Sequence, residues 1–320
     1  MRPESTSVTL RRDLSATAQE FDTSTAANKF IGRKAAPIFQ TPEASETYPV
    51  MKRENFKKPA ETARAEGGAF NRIVGEFGKG TFSCDEHGLE YPIDDRRRKR
   101  YATFIDAEQA ATRILWYQMR MAHERRVAAL YSGAGLTNTN VVTAWSTVAS
   151  ADPANDVIIA ANKLADACGC DISELSLVIP RADLLEALRT DAIVEQVKYT
   201  YPGIRPAQLS AAQFAAIIGI KQVLPATGAY DSAIEGETES NSQIWTAGIM
   251  YLALLAEDND PLEVPSAFRT MLWTASAPEL PVVETYREEK VAADIVRMRD
   301  DTDEVATAEV DLMAQKITNT

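Results

Sequence analysis

The sequence predicts an α+β fold, and three observations carry that expectation. One helical run spans residues 106–132, strand-like and helix-like patterns alternate between about 150 and 265, and the tail after 265 reads mostly as successive strands.

In chain order, residues 1–44 are rich in Ser, Thr, Ala and charge and lack sustained periodicity. They read as an extended arm with room for a short helix, ordered only by packing on something else. TYPVMKREN (47–55) reads as a strand with broken alternation, and FNRIVGEFGKGTFSC (70–84) as a second strand interrupted by glycines, across the polar connection 56–69. Together they form a long two-stranded excursion. Glycines within a strand mark bulges, twist or close backbone approach. A two-stranded ribbon is marginal by itself in water. Its aromatics, Phe70, Phe77 and Phe82, therefore call for a partner surface outside the chain's own core.

Asp106 and Gln109 have the spacing of a capping box, and the helix after them stops at Gly133. Ala111, Ile114, Leu115, Met119 and Ala122 lie on one apolar face of this spine helix. Asp152 as N-cap and Pro153 at the first helical position open a further helix. A buried strand at 174–180 follows, then helices RADLLEALRT and 210–219, the strand IKQVLP and a strand within 244–256. The tail segments AFRTMLWTAS, PVVETYRE, ADIVRMRD and EVATAEVDLMAQKI should build an antiparallel sheet covered by the spine helix.

Among 320 residues, 45% are apolar, enough for a substantial core, and the net charge is −12. That balance argues against a nucleic-acid binder held by phosphate contacts and against docking on anionic membrane. Three cysteines do not make a disulfide framework, so a reducing compartment is expected. The N-terminal stretch has no signal-peptide core, and the longest apolar run, GIMYLALLA (248–256), suits a buried strand.

Catalytic motifs are missing. The sequence contains no GxSxG elbow, P-loop or GxGxxG. His123, in HERR, has no second histidine at zincin spacing and reads as a surface or interface residue. Cys84 and His87 with Cys168 and Cys170 could supply four zinc ligands. Their spacing is not that of known zinc sites, and buried apolar cysteine is the simpler reading. FGKG reads as strand-turn geometry, and the acidic pairs at 94–95 and 257–260 as solvated loop charge. The run RRRKR (96–100), flanked by Asp94 and Asp95, reads as an ion-pairing patch at a subunit contact in preference to a nucleic-acid site. Asp300, Asp301, Asp303 and Glu304 are its expected partners, within or between subunits. No catalytic, cofactor or metal residues are expected.

The order of these parts resembles the tailed-phage major capsid proteins of the Hong Kong 97-like fold. TFSCDEHGLEYPIDD leading into DAEQAATRILWYQMRMAHERRVAALYS carries the resemblance, followed by LSLVIPRADLLEALRT, IWTAGIMYLALL and VVETYREEKVAADIVRMRD. It implies an N-terminal arm at 1–44, an extended loop at 45–92, a peripheral domain at 93–148 and 266–320 with the spine helix, and an axial α/β domain at 149–265. The extended loop would reach across a neighbouring subunit. Tyr48, Phe56, Phe70, Phe77, Phe82, Arg96, Arg97 and Arg98 are then the expected interface residues. The implied function is self-assembly through hexamers and pentamers into an icosahedral virion shell around double-stranded DNA, without sequence-specific binding, built in the host bacterial cytoplasm. A short arm leaves no room for a cleavable scaffolding domain, so a separate scaffolding protein is expected, with a portal and room for a decoration protein. No membrane partner is implied. Two alternatives remain: an encapsulin-type nanocompartment shell, and a zinc-dependent or thiol enzyme built on the four Cys and His residues.

Overall fold

Two sheets share one helix. The computed structural model describes residues 9–23, 29–52, 54–57, 59–64, 66, 68–101, 106–200, 209–277 and 281–319. The spine helix, Ala107–Gly133, has 27 residues and starts where the sequence says it should: Asp106 Oδ1 accepts from the amides of Glu108 and Gln109 at 3.0 and 3.3 Å. At 1.5 Å per residue it is about 40 Å long.

The first sheet is built around the 14-residue strand Ala293–Ala306. Along one edge it pairs with Asp85–Asp94. Along the other it pairs first with Val282–Glu288 and then with Phe268–Trp273, all antiparallel. The arm contributes the outer strands: Thr9–Leu10 pairs with Val282–Glu288, and Ile38–Thr41 lies parallel to Phe268–Trp273. The second sheet runs in the order Thr137–Asn140, Ala314–Thr318, Ile249–Leu254, Leu175–Pro180, Gln222–Ala226. Every residue of Leu175–Pro180 is buried, as befits a central strand covered on both faces. The helix Pro153–Cys168 covers this sheet. It is capped by Asp152 at its start and by Gly169 at φ 71° at its end, a conformation that favours glycine.

The spine helix belongs to both cores. Its first half packs Ala111, Leu115, Trp116 and Met119 on Val283, Val296 and Met298 of the first sheet. Its last turns carry Val127 and Tyr131 into the core of the second. There Tyr131 stacks on Phe268 at 3.8 Å, meets Trp245 and Tyr251 edge-on, and donates its hydroxyl to Ala35 O at 2.7 Å.

Helix and strand change character together. Alternate residues Val296, Met298, Asp300, Thr302 and Glu304 share one face of the long strand. Apolar Val296 and Met298 face the apolar half of the helix. Glu304 instead receives a two-pronged ion pair from Arg126 at 2.7 and 3.0 Å, and Arg126 also reaches Thr302. On the opposite face Arg297 and Arg299 pair with Glu90 and Glu284.

Several expectations change. The arm docks on its own chain: Leu14 and Ala18 of the helix Arg12–Thr23 join the first core, and Ile31, Ala35 and Ala36 join the second. The last strand, Ala314–Thr318, expected in the antiparallel tail sheet, lies in the second sheet, because the short helix Val310–Met313 turns the chain back. His123 is buried, with Nε2 3.3 Å from Thr270 Oγ1, and burial with the nearby arginines, Arg120 first, holds its pKa well below the usual value. Ile114 is exposed. The buried stripe runs instead through Thr112, Arg120 and Glu124, because the helix is packed on more than one side. The loop 257–260 is structural: Asp258 accepts from Ile38 N, and Asp260 O accepts from the buried Arg269 guanidinium.

Glu124 is fully buried at mid-helix. Its Oε2 accepts from Gly32 N of the arm at 2.7 Å, and its Oε1 from Trp245 Nε1 at 2.8 Å. Burial raises its pKa despite these donors. A Cβ at Gly32 would sit 2.9 Å from His123 Nδ1, so only glycine brings the arm this close. Glu124→Ala should leave two buried donors unpaired and lower stability by about 2–4 kcal/mol. Glu124→Gln, which keeps one acceptor, should cost clearly less. Urea denaturation of both variants measures the difference.

Candidate assembly surface

The extended loop begins and ends in a two-stranded ribbon. Ser45–Met51 pairs antiparallel with Phe77–Ser83, in register from Ser45 opposite Ser83 to Met51 opposite Phe77. The second strand is therefore shorter than 70–84, and residues 68–76 carry no regular structure. Gly80 is fixed by contact, since a Cβ there would lie 2.4 Å from the Tyr48 ring.

The root of the ribbon belongs to the chain's own core. Tyr48 and Phe82, with ring centroids 6.2 Å apart, pack on Met271 and Val305 of the first sheet. Both are buried, so their rings can add little to a contact with another molecule. Ser83 N donates to Asp303 Oδ2 at 2.8 Å, which ties the ribbon to the long strand. A second tie comes from the short helix Glu54–Lys57, whose Lys57 Nζ donates to the carbonyls of Asp166 and Ala167. These are among the last carbonyls of the helix Pro153–Cys168, where a cation is favoured.

Beyond the root the loop turns outward. Asn55 exchanges hydrogen bonds with the backbone of Glu76, and Lys52 pairs with the Glu76 carboxylate at 3.0 Å, closing the neck. Phe70, Ile73 and Val74 past this neck, and Phe77 at the ribbon's end beside it, are each 63–85% exposed, four large apolar side chains within eight residues. Arg64 lies 4.5 Å above the Phe70 ring. A clustered exposure of this kind is the mark of a contact surface. The aromatics Phe70 and Phe77 stood out in the sequence. Ile73 and Val74 did not, because a strand reading of 70–84 hid them.

The basic run forms a helix, Asp95–Tyr101. Arg98 pairs with Asp294 at 2.6 Å and with Glu108 at 3.0 Å. Arg287 grips Asp95 with both guanidinium nitrogens and reaches Asp294, and Arg11 closes the network on Glu108. Within the chain, then, Arg98 does not meet the carboxylates at 300–304 expected for it. Asp301 is held by Arg299 of its own strand, Asp303 by Ser83 of the ribbon and Glu304 by Arg126 of the spine helix. Arg96 is exposed, and the side chains of Phe56 and Arg97 lie outside the described residues.

Burial beside Asp303 and Asp301 pushes the Cys84 thiol up to about 11, so it is not a thiolate at neutral pH. Cys84 contacts the sheet-one cluster, whereas Cys168 is buried at the end of its helix in the second core. Among the described residues no group of three or more His, Cys, Asp or Glu is placed to hold a metal ion. Among the same residues no helix is long and apolar enough to cross a membrane.

No protein-family model matches the sequence. The major capsid protein of Burkholderia phage BcepMu is 27% identical over 183 residues, which is 55% of this chain and 58% of that protein. The chain thus matches little more than half the length of this curated relative. Among solved structures, a phage-related protein of Bordetella bronchiseptica RB50 superposes with a TM-score of 0.69 at 18% identity, covering 97% of each chain. The capsid protein of cyanophage P-SCSP1u gives a TM-score of 0.60 at 10% identity, over 89% of this chain and 86% of that one. The long helix shared by two sheets, with a ribbon loop reaching out from the first, is the Hong Kong 97-like fold of phage capsid proteins.

Proposed function

We propose that the chain is the major capsid protein of a tailed phage. Copies assemble as hexamers and pentamers into an icosahedral shell around double-stranded DNA. In this reading residues 1–44 are the arm, 45–92 the extended loop, 93–148 with 266–320 the peripheral domain, and 149–265 the axial domain. The role is structural and uses no catalytic residues. A separate scaffolding protein and a portal complete the assembly in the host cytoplasm, and the outer surface is open to a decoration protein.

One observation carries the proposal. On a Hong Kong 97-like fold, the loop is anchored at its root and apolar at its tip. Tyr48 and Phe82 fix its direction, and Phe70, Ile73, Val74 and Phe77 are left without burial in their own chain. Full burial of such a side chain contributes about 1.5–3 kcal/mol. A contact repeated at every subunit multiplies even a fraction of that across a shell. The net charge of −12 suits a container whose wall does not hold its packaged nucleic acid.

Electron microscopy of the purified full chain tests the reading directly. Closed particles are expected, with nucleic acid inside when they come from infected cells. Discrete, unassembled protein at high concentration counts against it, and shells filled with a protein cargo point to a nanocompartment.

The root and the tip should respond differently to substitution. Changing Phe70, Ile73, Val74 and Phe77 together to Ser should leave thermal unfolding almost unchanged and abolish closed shells, as read by sedimentation. Tyr48→Ala should instead destabilise the subunit by about 3 kcal/mol, the range of a large core truncation. Equal loss of stability in both would remove the distinction.

Deleting residues 59–75 and bridging the neck with a short Gly-Ser turn should give a folded subunit that does not close shells. A wider deletion, 57–81, would cut into the anchoring strand and remove Lys57, and should also cost stability. Circular dichroism and sedimentation on both deletions separate folding from assembly.

A further inference from the structure

The arm, the spine helix and the long strand meet around a cavity of about 10 Å³, lined by Arg33, Trp116, Arg120, His123, Asp300 and Thr302 among others. That is the room needed by about one water molecule. Asp300 is only 7% exposed, and among the described residues its Oδ1 has no hydrogen-bond partner. A buried carboxylate oxygen left in that state calls for an explanation.

The groups around Asp300 come from every packed element. The arm brings Arg33, and the spine helix brings Arg120, His123 and Arg126. Asp301 and Glu304 lie on its own strand, and His87 is its register partner on Asp85–Asp94. Arg126 and Arg33 favour a charged Asp300, and Arg126 also pairs with Glu304. Among the described residues no group donates a hydrogen bond to Asp300 Oδ1, and a buried carboxylate that lacks donors is costly to ionise.

We propose that this cavity is a proton-linked joint: with Asp300 neutral, arm, helix and strand close on one another, and with Asp300 ionised the joint loosens and admits water to the carboxylate. Burial, helped by Glu304 and Asp301 and opposed by Arg126 and Arg33, raises the Asp300 pKa to about 6 from its ordinary 3.8. A carboxyl shifted upward binds its proton more tightly in the closed state. Its contribution is therefore full in acid and is lost as pH rises through about 4 to 6. His123 acts in the opposite sense. Its lowered pKa makes its share of stability full above about 6.5 and lost in acid. Only the difference between wild type and a neutral variant at position 300 isolates the joint.

Hydrogen exchange of the full chain supplies that difference, read on peptides covering 29–41, 116–127 and 296–304 and corrected for intrinsic rates. Asp300→Asn should raise protection relative to wild type, and the ratio should be about tenfold larger at about pH 7.5 than at about pH 5. Asp300→Ser, neutral but smaller, should show the same change of ratio with pH even if its overall protection is lower. Ratios independent of pH in both variants overturn the proposal. So does a pH-dependent ratio that is equally large in peptides remote from the cavity, such as 175–180, since the effect would then be global and not a local joint.

Discussion

One buried carboxylate joins the parts of this subunit. Glu124 sits at the middle of the spine helix and accepts one hydrogen bond from the arm, through Gly32 N, and one from Trp245, just before the strand Ile249–Leu254. Taking a carboxylate out of water is costly, by several kcal/mol. The cost is offset only when both donors are in place, which requires the segment around Gly32 and the Trp245 loop to be docked on the helix at once. Gly32 leaves the space: a Cβ there would lie 2.9 Å from His123 Nδ1 and 3.3 Å from Glu124 Oε2. Residues 29–41 are thereby part of the folded chain, as Leu14 and Ala18 are through the first core.

The same helix and the long strand Ala293–Ala306 divide their contact into a dry half and a charged half. The dry half is ordinary core packing. In the charged half Arg126 pairs with Glu304, and Asp300 is the carboxylate with an unpaired buried oxygen among the described residues. Buried ion pairs are weak sources of stability but strong sources of register, because a slip by one residue would leave charges without partners. The Arg126–Glu304 pair ties the helix to the long strand, and Ser83 on Asp303 ties the ribbon to the same strand.

Loop function follows from where its aromatics are placed. Two lock the ribbon to Met271 and Val305, and the apolar tip stands beyond a neck closed by Asn55, Lys52 and Glu76. In the proposed assembly, a fixed root would let the apolar tip make its contact at low entropic cost, since little of the loop's orientation would have to be frozen on binding.

The sequence by itself determined what depends on local chemistry. The spine helix was legible from its Asp106 cap and its length, the helix Pro153–Cys168 from Asp152 and Pro153, and the central strand Leu175–Pro180 from its unbroken apolar run. The order of parts was enough to suggest the fold. Tertiary structure decided what depends on neighbours distant in the chain. Nothing near Tyr48 or Phe82 in sequence says that Met271 and Val305 will cover them, nor that Arg98 will find Asp294 before any carboxylate at 300–304. His123 and Glu124 look like surface residues of a polar HERR stretch, and become interior only because the arm and the Trp245 loop close over them. Return of Ala314–Thr318 to the second sheet was hidden for the same reason: hydrophobic alternation records that a strand has a buried face, not which sheet provides it. Local propensity is written residue by residue, whereas the partner that satisfies a buried charge or covers an aromatic exists only once the chain has folded back on itself.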